Sequence, residues 1–145
     1  MYFKNDKTVF DICVDKYANT SDMSDNASDT NTLICQFTYS LGTDRVERIG
    51  SLYDELLQTT DIVRLYNIIS DVFDEKINAF EYADDWNYVV MKLTKHSVLS
   101  YELCISVYLE PQDEYISDVF NLSKEELGVL MRELFELTEK FPVIE

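Results

Sequence analysis

Polar and apolar residues alternate along "TVFDICVDKY", from Thr8 to Tyr17: Phe10, Ile12 and Val14 fall on one side, and Asp11, Cys13 and Asp15 on the other. A period of two is the mark of a half-buried β-strand. The run "TLICQFTYSL" repeats it, with Leu33, Cys35, Phe37, Tyr39 and Leu41 on one face. Two such strands joined by a polar segment predict a hairpin. Its connection, at about 20–31, contains "TSDMSDNASDT", in which only Met23 and Ala27 are apolar. No core can hold such a segment, so a long mobile acidic loop is expected there.

After Gly42 the period lengthens. Val46, Ile49, Leu52, Tyr53, Leu56 and Leu57 recur at helical spacing, and so do Ile62, Leu65, Tyr66, Ile69, Val72 and Phe73. Two helices, or one bent helix, are therefore predicted across residues 44–77. The break falls at Thr59 or Thr60, either of which can cap a helix with Asp61 in its first turn. Alternation returns in "YVVMKLTKH" and "SYELCISVYLE", whose short "SVLS" link predicts a second hairpin. Pro111 stops the fourth strand and "EYISDVFNL" supplies a fifth. Ser123, with Glu126 three residues on, then reads as a capping box. Leu127, Leu130, Met131, Leu134 and Phe141 form the apolar stripe of a last helix, which Pro142 ends.

The fold class expected from this order is α+β. It is an antiparallel sheet of about four to five strands, two N-terminal and two to three central, with two central helices and a C-terminal helix packed on one face. The chain has 145 residues, no internal repeat and no linker, so residues 1–145 are expected to form a single acidic domain with one core.

Charge changes this picture most. Against 28 Asp and Glu stand 12 Lys and Arg, a net charge of −16, while 46% hydrophobic residues keep the composition that of a folded chain. Such a field repels nucleic acid and anionic membrane and speeds encounter with basic proteins. Solubility alone explains the charge equally well. Cys13, Cys35 and Cys104 make an odd count with no CxxC pair, which argues against a disulfide framework and a zinc site. The thiols are expected to be reduced. No run reaches the length of a membrane span, and "MYFKNDKTVFDICVD" lacks the pattern of a signal peptide, so a cytoplasmic location is expected.

Motifs for chemistry are scarce. An EF-hand register starting at Asp25 puts Ala27 at the third position, Thr30 at the sixth and Gln36 at the twelfth, and fails. Gly42, Gly50 and Gly128 are isolated, so no phosphate-cradling loop can be assembled. His96 is the only histidine, and a nucleophilic mechanism would have to be built on it with Cys104 or Cys13, which lie within strand patterns. With 28 acids, a pair spaced for general acid and base work arises by number alone.

What remains is where the acids cluster. "DVFDEKINAFEYADDW" carries Asp71, Asp74, Glu75, Glu81, Asp84 and Asp85 against Lys76 alone, with Tyr82 and Trp86 as exposed-looking anchors. A second run holds Glu110, Asp113, Glu114 and Asp118. The ordinary account of these residues is a solvated rim around core positions Phe73, Ile77 and Phe80, with Trp86 starting a buried strand. The functional account is that spaced carboxylates imitate a row of phosphates.

On that account the protein is not an enzyme and needs no cofactor and no metal. It is an inhibitor or decoy that mimics DNA and occupies the basic nucleic-acid-binding surface of a nuclease or a CRISPR or restriction effector, as phage anti-restriction and anti-CRISPR proteins do. A second reading is an immunity protein that neutralises a toxin. A third is a small-ligand-binding or catalytic domain with a pocket between sheet and helices, using His96 or a cysteine. The partner expected from the first two is a basic protein, a nucleic-acid-binding enzyme or a toxin, with no direct contact to nucleic acid and none to membrane.

Overall fold

The computed structural model describes residues 1–18, 31–42 and 47–144. The acidic stretch 20–30, expected as a mobile loop, lies outside the described residues. The elements are β1 (Tyr2–Lys4), β2 (Thr8–Tyr17), β3 (Thr32–Gly42), β4 (Glu47–Gln58), α1 (Thr59–Phe73), β5 (Ala79–Ala83), β6 (Val89–Ser97), β7 (Ser100–Leu109), a 3-10 turn (Glu110–Gln112), β8 (Glu114–Ser123) and α2 (Lys124–Lys140). They form two four-stranded antiparallel sheets, each in sequence order, β1-β2-β3-β4 and β5-β6-β7-β8. Each sheet is followed by one helix.

Alternation explains the strands that carry the core. β7 buries every second residue, Tyr101, Leu103, Ile105, Val107 and Leu109, and turns Glu102, Cys104, Ser106 and Tyr108 to the other face. β3 does the same with Leu33, Cys35, Phe37 and Tyr39. The two sheets meet through aromatic side chains. Phe120 of β8 lies 5.3 Å from Phe10 of β2 and 5.8 Å from Phe3 of β1, and Phe10 meets Phe37 edge-on at 5.4 Å. Phe10, Phe37 and Phe120 have no exposed surface, and each such side chain contributes on the order of 2 kcal/mol by leaving water. At the edge, Gly50 faces Tyr39 so closely that any side chain there would run into the phenol ring.

The helices follow from amphipathic stripes and caps. α1 buries Ile62, Leu65, Ile69 and Val72, and the Asp61 carboxylate accepts from the Gln58 N–H at 2.7 Å to close its first turn. α2 starts at the capping box read from the sequence: Ser123 Oγ accepts from the Glu126 N–H at 3.1 Å, and Glu126 accepts from the Ser123 N–H at 3.2 Å. Leu127, Leu130 and Leu134 face inward. Gly128 lets the helices close on each other, since a Cβ there would come within 3.2 Å of the Phe73 ring.

The expected fold class needs correction. In place of one sheet of four to five strands with two central helices and a C-terminal helix, there are two four-stranded sheets and two α-helices. The first predicted central helix is the strand β4, paired along its length with β3. Its pattern misleads for two reasons. β4 is an edge strand that leaves Ile49 and Tyr53 exposed, and a bulge opposite Leu33 and Ile34 turns Leu56 and Leu57 inward together. The two consecutive leucines mimic helical spacing. β1 and β5, of three and five residues, were too short to show a period.

Candidate functional site

The turn between β5 and β6 is set by Asp84, whose carboxylate accepts from the Trp86 N–H at 3.1 Å and the Val89 N–H at 2.8 Å. Asp84 is buried, and burial raises its carboxyl above the ordinary aspartate value although those N–H donors pull the other way. The turn carries Trp86 and Tyr88 to the outer face of the second sheet. There Tyr88 meets Tyr108, whose N–H donates to the Tyr88 carbonyl at 2.8 Å, and Tyr108 pairs across the β7–β8 hairpin with Tyr115. The result is a row of four rings. Successive centroids are 5.8 Å apart from Trp86 to Tyr88, 6.0 Å from Tyr88 to Tyr108 and 5.1 Å from Tyr108 to Tyr115, with the middle pair within 4° of parallel.

The row is held rigidly from both turns. Tyr115 donates its hydroxyl to the Asn87 carbonyl at 2.6 Å, and Tyr108 donates to the Asp113 carboxylate. Asn87 and Asp113 have φ of 56° and 49°, two of the three left-handed non-glycine residues among the described residues. Strained backbone that positions side chains in this way is a recurring feature of binding surfaces. The hydrogen bond to Asp113, with burial and the charge of that carboxylate, pushes the Tyr108 phenol up to about 12. Burial, then the carboxylates of Glu110, Asp54, Asp84 and Glu55, raises Tyr88 as well. Both phenols therefore remain neutral donors at neutral pH. The row's electrostatic frame is negative.

The residues expected to bind a partner are scattered by the fold. Asp71 pairs with Lys76 at 3.9 Å, and Glu75 lies 3.6 Å from Lys95 and 3.7 Å from Lys124. Glu81 pairs with Lys92 at 3.4 Å across β5 and β6, and Asp85 sits 3.9 Å from Arg64. Asp74 ends α1, and Glu110 opens the 3-10 turn. Glu114 bonds Arg48 of β4, which holds its carboxyl below the usual range. Asp118 is pushed up by burial, but hydrogen bonds from Thr8, the Val119 N–H and Asn5 outweigh that and hold it low, at the junction of the two sheets. Tyr82 is 4% exposed, so it is a core residue and not the surface anchor expected; burial, then the neighbouring Asp61 carboxylate, raises its phenol far above the ordinary value. Of the expected set, Trp86 lies in the aromatic row, Asp113 bonds to it, and Asp84 and Glu110 lie beside Tyr88.

Among the described residues no hydrogen bond brings His96 to Cys104 or Cys13. Burial pushes the Cys35 thiol up to about 12, and burial followed by the Asp11 carboxylate raises Cys13, the reverse of what a nucleophile needs. His96 is exposed and bonds Glu102 at 3.0 Å. Among the described residues no cluster of three or more His, Cys, Asp or Glu could hold a metal, and no helix is long and apolar enough to cross a membrane.

Tyr88, Tyr108, Tyr115 and Asn87 were not anticipated from the sequence. A signal was present: Tyr108 and Tyr115 stand equally far from the turn that joins β7 and β8, so antiparallel pairing makes them neighbours.

No family model matches the chain, and no curated protein matches it. Solved structures do. WHY3 from Arabidopsis thaliana has a TM-score of 0.47 at 13% identity, over 95% of this chain and 85% of that one. WHY1 from Arabidopsis thaliana has 0.48 at 13%, over 95% and 87%, and the plant transcriptional regulator PBF-2 has 0.49 at 11%, over 96% and 86%. Likeness at this level transfers neither activity nor ligand to the chain.

The functional expectations are corrected by the geometry of the site. The inhibitor, anti-CRISPR, anti-restriction and immunity readings lose their support, because the acids proposed to mimic DNA are tied to neighbouring cations, caps and turns. Among the described residues these acids form no row of phosphate-like charges. The nucleophilic form of the third reading is not supported, since no hydrogen bond joins His96 to Cys104 or Cys13 among the described residues. The exclusion of direct nucleic-acid contact, and with it the basic enzyme or toxin as partner, is corrected too, because it summed charge over the whole chain and overlooked the aromatic row.

Proposed function

We propose that this chain is a non-catalytic protein that binds single-stranded nucleic acid by stacking unpaired bases on Trp86, Tyr88, Tyr108 and Tyr115. The observation that carries the reading is the row itself: four rings on one sheet face, spaced 5.1 to 6.0 Å, with two phenols locked by hydrogen bonds. Stacking of a base on an aromatic side chain contributes about 1–3 kcal/mol and tolerates any sequence. A duplex hides the faces of its bases, so a single strand is preferred.

The negative frame sets the character of the binding. A protein that meets phosphates with lysine and arginine loses affinity as salt rises, because counterions are released. Here Glu110, Asp54, Asp84 and Glu55 lie around Tyr88, and the chain as a whole carries −16. Salt screens that repulsion, so binding strengthens with ionic strength. Trp86 is the sole tryptophan and stands at the end of the row, which makes its fluorescence a direct reporter. Titration with an oligothymidylate of about 16 nucleotides, near the upper site size of single-strand binders, is expected to quench Trp86 saturably, while the same length of duplex leaves it unchanged. Equal quenching by duplex, or none by either, would refute the proposal.

A further inference from the structure

A second open surface lies between the two helices. A groove of about 550 Å³ is lined by Tyr66 and Phe73 of α1 and by Val129, Met131 and Phe135 of α2, together with Lys124 and Arg132. Val129 and Phe135 are each 46% exposed, and the Phe135 ring rests 5.6 Å from Tyr66. Volume and lining match a small-molecule site, which is mostly apolar with a few placed polar groups.

The cations decide what fits. Lys124 lies over the Phe73 ring at 5.1 Å and is engaged by Glu75 at 3.7 Å. Arg132 has no carboxylate within ion-pairing distance among the described residues, in a chain with 28 acids and 12 bases. A guanidinium left open beside an apolar groove is complementary to one anionic head on an apolar body. Glu125 also lines the groove and repels a second negative group, so the ligand carries a single charge. We propose that the α1–α2 groove binds a monoanionic amphiphile of the fatty-acid class, with its carboxylate on Arg132 and its chain along Val129, Phe73 and Tyr66.

The site shares no residue with the aromatic row, so its test is separate. Dodecanoate, kept below its micelle concentration, is titrated calorimetrically into the full chain. Saturable binding to one site is expected, weakened about tenfold or more by Arg132→Glu and restored in large part by Arg132→Lys, as for loss of a hydrogen bond to a charged group. Dodecanol, which keeps the tail and lacks the charge, should bind unchanged chain about tenfold more weakly than dodecanoate, a comparison that needs no variant to fold. Absence of saturable heat, or equal affinity for the alcohol and the acid, would overturn the proposal. So would sedimentation showing a dimer that Phe135→Ser dissociates, because a second copy would then occupy the groove.

Discussion

The aromatic row and the helix groove are both apolar surfaces left open on one acidic chain, yet their frames differ in sign. Carboxylates from β4, the β5–β6 turn and the 3-10 turn lie around Tyr88, whereas Arg132 and Lys124 border Phe135 and Phe73. The net charge of −16 describes neither surface. Sheets and helices distribute charge by face, and ligand choice follows the local frame. The same contrast applies to rigidity: the row is pinned by hydrogen bonds through Asn87 and Asp113, whereas the groove is shaped by side-chain packing at Gly128.

The largest change should erase the difference. Phe120→Ala removes the ring that joins Phe3 and Phe10 across the sheets and should lower unfolding free energy by about 3–5 kcal/mol in denaturant titration. Both surfaces should then fail together at the same denaturant concentration. Row-specific loss alone would mean that the sheets are not coupled through this contact.

Tyr108→Ala separates the surfaces. It deletes the central ring and should weaken oligothymidylate binding by about 1–3 kcal/mol, read by Trp86 quenching, with dodecanoate affinity unchanged. Ser123→Ala acts in the opposite sense: losing the cap should destabilise the protein by about 1 kcal/mol and loosen the turn that bears Lys124, leaving the quenching curve in place.

The smallest effect is in pH. Burial raises Asp84 in the folded state, so the native protein holds that proton more tightly than the unfolded chain. Its contribution to stability is therefore present below the ordinary aspartate value and declines as pH rises through the raised one. Glu114, lowered by Arg48, behaves oppositely: its contribution is present above the ordinary glutamate value and is lost as pH falls through the lowered one. A carboxyl NMR titration should place the Asp84 midpoint above and the Glu114 midpoint below their ordinary values.

Much of the fold could be read from period and cap signals where one face is buried and the register is regular. β2, β3, β6, β7 and β8 alternate along most of their length, with register shifts after Val14 in β2 and after Lys95 in β6 where they meet β3 and β7, and the Ser123–Glu126 box opens α2 where the sequence puts it. β4 could not be read this way, because the bulge at Leu56 breaks the alternation and Ile49 and Tyr53 place apolar side chains in solvent. The site was harder still. Acid density drew attention to 71–86, but a carboxylate's role depends on its neighbours, and most of these residues turned out to pair, cap or shape turns. Tyr88 joins Tyr108 only through strand pairing, which no local spacing encodes.

The most direct test of the account is the salt dependence of oligothymidylate affinity, followed by Trp86 fluorescence from about 0.02 to 0.5 M salt, across which the Debye length falls from more than 20 Å to only a few. Stacking within a negative frame predicts affinity that rises with salt and then levels. Affinity that falls steeply, with the slope of released counterions, would mean that cations hold the strand and that the row is not the site.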